Sequence, residues 1–370
     1  METVIFTGDI AFSGYFKEKY NQDKIISEEI YDFLKSSDNV VANIESPITN
    51  KMIESDRPLN HVMNPKVTRI FKKMNINIWN LGNNHIMDCG KEGLLDTLTA
   101  ADKEKIKTIG AGINKKASSK TLIVGKEIKI GLLSLTKEWK QLHSSENTPG
   151  CIYLNDYNTI RSQIDELKSK VNYIVAIVHG GDEFASMPMP YDRNKYIKLL
   201  DEGIDIIVAH HPHVTQNYER IWNKTIFYSL GNFIFDTDFQ RLQNNTDTGV
   251  ILKINFDKDS YSFEAVGTKI NREKGTIEQS NLPEIFKNIS EKEYKKLWVF
   301  AAKRFIKNNM KAQIYKNPKY NSIPTLRKIK RYLARFKHKQ TLILEIGRYL
   351  SIIMIKSKDN KKTIEYITEK

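Results

Sequence analysis

Three of the eight histidines in this chain lie within four positions of one another. They follow the buried-strand pattern of residues 206–209, and the segment reads His210-His211-Pro212-His213. Imidazole is the commonest side-chain ligand of divalent transition metals, and a His-x-His pair just beyond a strand can direct two rings at one site. The pattern therefore predicts a buried strand whose carboxyl end opens onto a metal site.

Four other short apolar segments also end in residues that bind metals. They are residues 4–7, 40–42, 76–81 and 174–178, and they lead into Asp9, Glu45, Asn84 with His85, and His179. Open α/β sheets place their sites at the carboxyl ends of parallel strands. Five strand ends together predict one centre that combines carboxylate, amide and imidazole ligands.

Residues 1 to about 270 alternate strand patterns with helical patterns, which predicts a layered α/β domain. The helical patterns fall near residues 22–36, 65–75, 90–104, 157–170 and 190–203. Strand patterns over residues 225–230, 250–256 and 261–268 follow one another without helices, and the last two read as a hairpin. Successive strands of this kind indicate a mixed sheet rather than a purely parallel one.

The net charge of +14 is concentrated towards the end of the chain. Residues 284–370 hold 23 Lys and Arg against 7 Asp and Glu, and the remainder carries a net charge of −2. We therefore predict a catalytic-type domain over residues 1–280 and a basic helical C-terminal extension over residues 281–370. The extension contains Ser290-Glu291-Lys292-Glu293, a capping-box pattern that begins a helix.

Further along the extension, an apolar stripe lies opposite Arg and Lys side chains; its members are Leu326, Ile329, Leu333 and Phe336. Two interpretations stay open. In the first, the stripe packs on the domain. In the second, it forms a basic amphipathic helix whose partner is an anionic membrane or a component of a synthesis complex. Nucleic acid is disfavoured as a partner, because few aromatic residues interleave the basic cluster and no recognised binding motif is present.

The sequence predicts a cytoplasmic protein. If the extension binds lipid, the protein would attach peripherally at the inner face of the membrane. The first residues lead directly into a strand pattern without a signal-peptide pattern, and no apolar run is long enough to span a bilayer. Cys89 and Cys151 match no zinc-ribbon or redox spacing, so we expect two buried thiols.

The predicted ligand set suits hydrolysis of a phosphate ester. A pair of divalent metals can acidify a water and stabilise charge on the phosphoryl oxygens. Asp9 and Glu45 can supply carboxylates and Asn84 an amide oxygen, while the imidazoles come from His179, His211 and His213. His85, next to Asn84, is left to act as the general acid.

Six blocks in this order resemble the motifs of the CapA family, the poly-γ-glutamate capsule-synthesis family within the calcineurin-like metallophosphatases. The blocks lie within residues 3–240 and begin at Gly8, Asn43, Asn83, His179, His210 and Tyr228. The resemblance implies a four-layer α/β/β/α sandwich with a dinuclear metal site between the sheet edges. It further implies two divalent ions, for which mixed nitrogen and oxygen ligands suit Mn, Fe or Zn.

The resemblance also implies a role for each ligand. Asp9 resembles the ligand on the first strand, Glu45 the carboxylate that bridges the metals, and Asn84 an amide ligand of the second metal. His179 and His211 would bind one metal and His213 the other, with His85 as the acid. Ala11 stands where the wider superfamily usually has a histidine. Gly180 stands where the capsule family often has tryptophan, which predicts a more open pocket.

Neighbouring residues receive less direct roles. His210 is expected to lie outside the ligand set, and Glu183 either orients His179 or binds a metal. Asn43 is expected to hold a backbone turn, and Gly231-Asn232 a turn that supports the site. Three further histidines lack a comparable context and are not proposed as ligands: His61, His143 and His338.

The favoured hypothesis is a binuclear metal-dependent phosphoesterase that acts on a phosphorylated or otherwise anionic substrate. Its role would be in the biosynthesis of a capsular or cell-surface polymer, either poly-γ-glutamate or polysaccharide. The alternative is a non-hydrolytic, metal-binding component of a polymer synthesis or export complex at the membrane. The complete ligand set beside His85 favours catalysis, whereas Ala11 favours the alternative.

Overall fold

The computed structural model describes residues 1–316 except 23, 52–60 and 138–141. Its contacts separate a unit spanning Met1–Ile289 from a second unit that begins at Ser290. The predicted stripe from Leu326 to Phe336 lies outside the described residues, and so does His338.

Strands and helices alternate through the first unit, as the sequence predicts. In chain order the strands are β1 (Glu2–Gly14), β2 (Val40–Ile44), β3 (Ile78–Asn80), β4 (Lys107–Ile109), β5 (Ala111–Gly112), β6 (Leu122–Val124), β7 (Ile130–Thr136), β8 (Gly150–Cys151), β9 (Tyr173–His179), β10 (Ile206–His210), β11 (Tyr218–Ile221), β12 (Lys224–Phe227), β13 (Asn232–Asp236), β14 (Thr248–Phe256), β15 (Tyr261–Asn271) and β16 (Thr276–Ser280). The helices are α1 (Glu28–Lys35), α2 (Val67–Lys73), α3 (Gly90–Lys103), α4 (Lys115–Ser118), α5 (Tyr157–Lys168), α6 (Pro190–Asp201), α7 (Asp238–Arg241) and α8 (Glu291–Lys316).

Two mixed sheets form the centre of the first unit. One has the order β16-β15-β14-β1-β2-β3-β4, with β13 pairing with the second half of β1. The other has the order β11-β12-β10-β9-β7-β6, in which β7, β9, β10 and β12 are parallel. The predicted hairpin is present, because β14 pairs antiparallel with β15 from Phe256 and Tyr261 onwards.

Three separate hydrophobic cores define the layers. In β1, Ile5 faces the core that contains side chains of α1 to α3, whereas Val4 and Phe6 face a core between the sheets. In β10, Val208 faces the same central core, and Ile207 faces a third core with side chains of α5 and α6. Alternate side chains of a strand point to opposite faces, so both sheets are covered on both sides. This arrangement confirms the predicted four-layer α/β/β/α sandwich.

The capping-box pattern does begin a helix, α8. The Ser290 main-chain N–H donates to Glu293 Oε2 at 2.8 Å, and the Glu293 N–H donates to Ser290 Oγ at 3.2 Å. These reciprocal bonds satisfy amide groups that have no partner within the helix. None of the helices in the described ranges is long and apolar enough to cross a membrane.

Candidate metal centre

Parallel pairing brings the predicted ligands to neighbouring strands at one edge of the sandwich. Asp9 pairs with Asn43 across β1 and β2, and His210 pairs with His179 across β10 and β9. Glu45 directly follows β2, and its side chain is fully buried. The other predicted ligands are buried as well; they are Asp9, Asn84, His179, His211 and His213.

Asp9 lies within its strand rather than after it, which differs from the sequence prediction. β1 continues to Gly14, with an irregular register between Phe6 and Asp9. A Cβ atom on Gly8 would lie 2.4 Å from the carbonyl oxygen of Gly231, so only glycine allows this approach. The Asp9 N–H then donates to the same oxygen at 2.9 Å, which brings the turn before β13 against the site.

Two groups of ligand atoms share Glu45. One consists of Glu45, His179 and His211, the other of Asp9, Glu45 and His213, and within each group the atoms lie within 4.8 Å of one another. Glu45 Oε1 is 3.4 Å from His179 Nε2 and 3.6 Å from His213 Nε2. Two ligands that each lie about 2.1 Å from one tetrahedral ion would be about 3.4 Å apart.

Glu45 provides the test of whether these residues fit a metal. Both carboxylate oxygens are fully buried, and neither accepts a hydrogen bond from the described residues. Burial, together with repulsion from Asp9, raises the pKa of Glu45 well above its usual range. Because an unpaired buried carboxylate is costly, a bound cation is the natural partner of these oxygens. His211 Nδ1 is likewise buried without a hydrogen-bond partner in the described chain.

The imidazoles are kept neutral or paired by their surroundings. Burial lowers the pKa values of His179 and His211 well below their usual range, and neighbouring histidines add to this effect. Burial opposes ionisation of Asp9 as well, but the imidazoles of His210 and His213 outweigh it and hold the pKa of Asp9 well below normal. Neutral imidazoles and ionised carboxylates are the forms that bind metals.

Asn232 sets the orientation of His213. Its Nδ2 donates to the carbonyl oxygen of Thr246 at 2.9 Å, so its Oδ1 is left to accept from His213 Nδ1 at 3.0 Å. With Nδ1 carrying the hydrogen, the lone pair of His213 Nε2 faces Glu45. The predicted turn at Gly231-Asn232 thus also orients a candidate ligand.

The sequence predicts that Asn43 holds a backbone turn. In the structure its side chain instead makes hydrogen bonds within the site. Its Nδ2 donates to Asp9 Oδ1 at 2.8 Å and lies 3.2 Å from His179 Nδ1. Its Oδ1 accepts from Asn80 at 2.8 Å, and Asn80 accepts from Ser134 at 2.6 Å. This chain of amides connects the two sheets beneath the site and orients Asp9.

Two of the candidate ligands adopt strained backbone conformations. The φ angles are 98° at His211 and 56° at His213, on either side of Pro212. Non-glycine residues with positive φ cost about 1–3 kcal/mol each and persist where the surrounding structure requires them. Both strained residues lie in the loop that directly follows β10.

His85 lies beside the ligand cluster, and its side chain is 14% exposed. Its Nδ1 is 2.7 Å from Asp88 Oδ2, three residues along the chain. Asp88 was not singled out from the sequence, although the spacing of three in the Asn-His block is a usable signal. The carboxylate fixes the Nδ1–H tautomer, so Nε2 is the ring nitrogen of His85 that can bond other groups.

The structure also locates the residues to which the sequence gave other roles. His210 Nδ1 lies 3.1 Å from Asp9 Oδ1, and His210 belongs to neither ligand group. Glu183 is exposed, and His143 stacks on Tyr153 at 4.1 Å between ring centroids. Ala11 is fully buried in β1, and both predicted thiols are buried and form no disulfide with a described residue.

Gly180 does not open the pocket in the way that the sequence predicts. A Cβ atom there would lie 2.6 Å from Cβ of Lys137, because the Lys137 side chain packs across Gly180. The Lys137 ammonium lies 2.6 Å from Asp192 Oδ1, and its main-chain N–H donates to the carbonyl oxygen of His179 at 2.9 Å. A lysine therefore occupies the space beside this glycine.

Comparison with known proteins agrees with the geometry. A family model described as bacterial capsule synthesis protein PGA_cap matches residues 3–237. The PGA biosynthesis protein CapA of Bacillus subtilis (strain 168) is 32% identical over 258 residues, which cover 68% of this chain and 67% of that protein. The capsule biosynthesis protein CapA of Bacillus anthracis is 28% identical over 256 residues, covering 66% of this chain and 62% of that protein. A probable polyglutamine synthesis accessory protein of Mycobacterium tuberculosis (strain H37Rv) is 26% identical over 214 residues, 54% of this chain and 56% of that protein. With its motif blocks, its sandwich and its ligand cluster in place, the chain belongs to the bacterial capsule synthesis (CapA) family.

Proposed function

We propose that this protein is a binuclear metal-dependent phosphoesterase that serves the biosynthesis of a capsular or cell-surface polymer, either poly-γ-glutamate or polysaccharide. The observation that carries the proposal is Glu45, a buried carboxylate without a hydrogen-bond donor in the described chain, shared by two ligand groups. One carboxylate shared by two groups of ligands, each with at least one imidazole, suits a pair of divalent ions.

Each ion would be held by its own set of residues. His179, His211 and the amide of Asn84 would hold one ion, since Asn84 Oδ1 lies 2.7 Å from His179 Nε2. Asp9 and His213 would hold the other, and Glu45 would contact both. When bound, such ions supply the Lewis acidity that activates water and stabilises charge on the phosphoryl oxygens.

His85 and its partner Asp88 would supply the proton that the leaving group needs. Asp88 holds Nδ1 of His85, so that Nε2 of the imidazolium can donate to the departing alkoxide. Asn232 fixes the orientation of His213, and Asn43 fixes the orientation of Asp9. Neither side chain therefore has to reorient during turnover. The relatives' names place them in PGA or capsule biosynthesis, which motivates the biological role proposed here.

Metal content and turnover of full-length protein test the proposal. Purified protein should hold close to two transition-metal ions per chain and hydrolyse p-nitrophenyl phosphate or a diester analogue. Glu45→Gln should lose metal and activity, because a neutral amide cannot bridge two cations. Glu127→Gln is the matched control, since Glu127 is an exposed glutamate between β6 and β7 that belongs to neither ligand group.

Two outcomes would oppose the proposal. Protein that holds no metal, and whose stability is unchanged by chelators, would contradict the dinuclear site. Protein that holds metal but cleaves no ester would instead support a non-hydrolytic component of a synthesis or export complex. Ala11 is the observation that favours this second candidate, because its buried methyl group cannot supply a ligand at this position of β1.

The partner of the basic extension is a separate proposal. We propose that it contacts anionic membrane, since residues 284–370 carry 23 basic residues against 7 acidic ones. Full-length protein should co-sediment with vesicles that contain anionic lipid, and high salt should release it. Chain lacking residues 322–370 should stay in the supernatant. Equal sedimentation with neutral vesicles would contradict the proposal.

A further inference from the structure

A second imidazole, that of His61, lies beside the proposed acid. The ring centroids of His61 and His85 are 4.5 Å apart, with an interplanar angle of 72°. The ring of Phe235 contacts both His61, at 5.1 Å, and the metal-facing His213, at 4.9 Å. His61 therefore lies on the wall of the site that runs from His213 to His85.

The two imidazoles are anchored in the same way. His61 Nδ1 lies 3.0 Å from Ser13 Oγ, and His85 Nδ1 lies 2.7 Å from Asp88 Oδ2. The main-chain N–H of His61 donates to the same Asp88 oxygen at 2.9 Å, which fixes the spacing of the two residues. Within the described ranges neither Nε2 atom has a hydrogen-bond partner, and neither belongs to the fully buried polar atoms. Both Nε2 atoms are thus left without a partner among the described residues, on a His85 side chain that is 14% exposed and a His61 side chain that is half-buried.

His61 differs from an acid catalyst in its charge. Burial lowers its pKa from 6.5 to about 3, and the nearby His85 and His213 add to the effect. The ring is therefore neutral at physiological pH. A neutral imidazole whose Nδ1 is engaged by a hydroxyl offers one hydrogen-bonding position, Nε2, which suits an uncharged polar group such as another hydroxyl.

We propose that His61 Nε2 hydrogen-bonds a hydroxyl on the leaving group of the substrate, next to the ester oxygen that His85 protonates. His61 is then a specificity-determining contact, and the substrate belongs to the phosphate esters of polyhydroxyl compounds. The inference rests on the proposed function, because a leaving group exists only where an ester is cleaved.

Two probes of the same carbon skeleton isolate this contact. Glycerol phosphate carries hydroxyls beside the ester, whereas propyl phosphate carries none. Two variants separate the two nitrogens of His61: His61→Gln places an amide near the position of Nε2, and His61→Asn places one near Nδ1, where it can still meet Ser13. Full-length, metal-loaded protein is compared as wild type and as each variant.

The expected result is a preference of the wild type for glycerol phosphate in kcat/KM. His61→Asn should reduce that preference by about 2–10-fold, the factor that one neutral hydrogen bond supplies. His61→Gln should keep most of the preference, and metal content should be equal in all three proteins. A merely structural role for His61 would lower both substrates equally and leave the ratio unchanged, which would overturn the inference.

Failure of the proposed function is recognised separately. If wild-type protein hydrolyses neither probe, the phosphoesterase proposal fails, and calorimetric binding of the two probes to metal-loaded protein then tests His61. Tighter binding of glycerol phosphate to wild type and His61→Gln than to His61→Asn supports the contact. Equal affinities for both probes, or no binding of either, would overturn it.

Discussion

Replacement of His61 by Asn should remove a pH dependence from the stability of the first unit. The folded pKa of His61 is about 3, and the unfolded value is 6.5, because burial disfavours the charged ring. Between these values the unfolded chain binds a proton that the folded chain does not. The free energy of unfolding therefore falls as the pH falls below 6.5, by about 1.4 kcal/mol per unit. At pH 5.0 the expected loss is about 2 kcal/mol.

Urea unfolding at pH 7.5 and pH 5.0, with full-length protein in chelator, measures this loss. Other groups titrate in the same range, so the relevant quantity is the loss in wild type minus the loss in His61→Asn, expected near 2 kcal/mol. Ser13→Ala is the control, because it removes the partner of His61 Nδ1 and leaves the titrating ring in place. Equal losses in wild type and His61→Asn would refute the assignment of a buried, neutral His61.

Three further predictions concern the metal, the acid and the packing of the site. Metal at 100 times its Kd should stabilise the wild type against thermal unfolding by about 2.7 kcal/mol. The Glu45→Gln variant should lose this increment, and an equal increment in both proteins would contradict a bridging role for Glu45. Asp88→Asn should lower kcat on phenyl phosphate by about 10²-fold but affect p-nitrophenyl phosphate less, with metal content unchanged; equal losses on both esters would argue against a role through His85. Gly180→Ala should cost about 1–3 kcal/mol of stability by overpacking against Lys137. The same substitution should cost much less in a Lys137→Gly background, and an equal cost in both backgrounds would point to another cause.

Several candidate ligand positions could be predicted from the sequence because they depend on a local relation, the end of a strand. A strand and the residue that follows it are contiguous in the chain, so the ends at Glu45, His179 and His211 were readable without tertiary information. The layers were predictable for a similar reason, since continuous apolar runs such as residues 174–178 indicate strands that are covered on both faces. The capping box at Ser290 likewise involves residues only three apart.

Contacts between distant residues required the folded chain. His61 reaches Ser13, 48 positions away, and the amide of Asn43 reaches His179, 136 positions away. No periodicity or motif encodes such pairings, because they depend on how strands are ordered in two sheets and on where the loops cross the edge. The same holds for Lys137 over Gly180, where the sequence indicated open space and packing filled it. Local chemistry thus determined which side chains could bind metal, whereas the packing of the two sheets decided their partners, tautomers and charge.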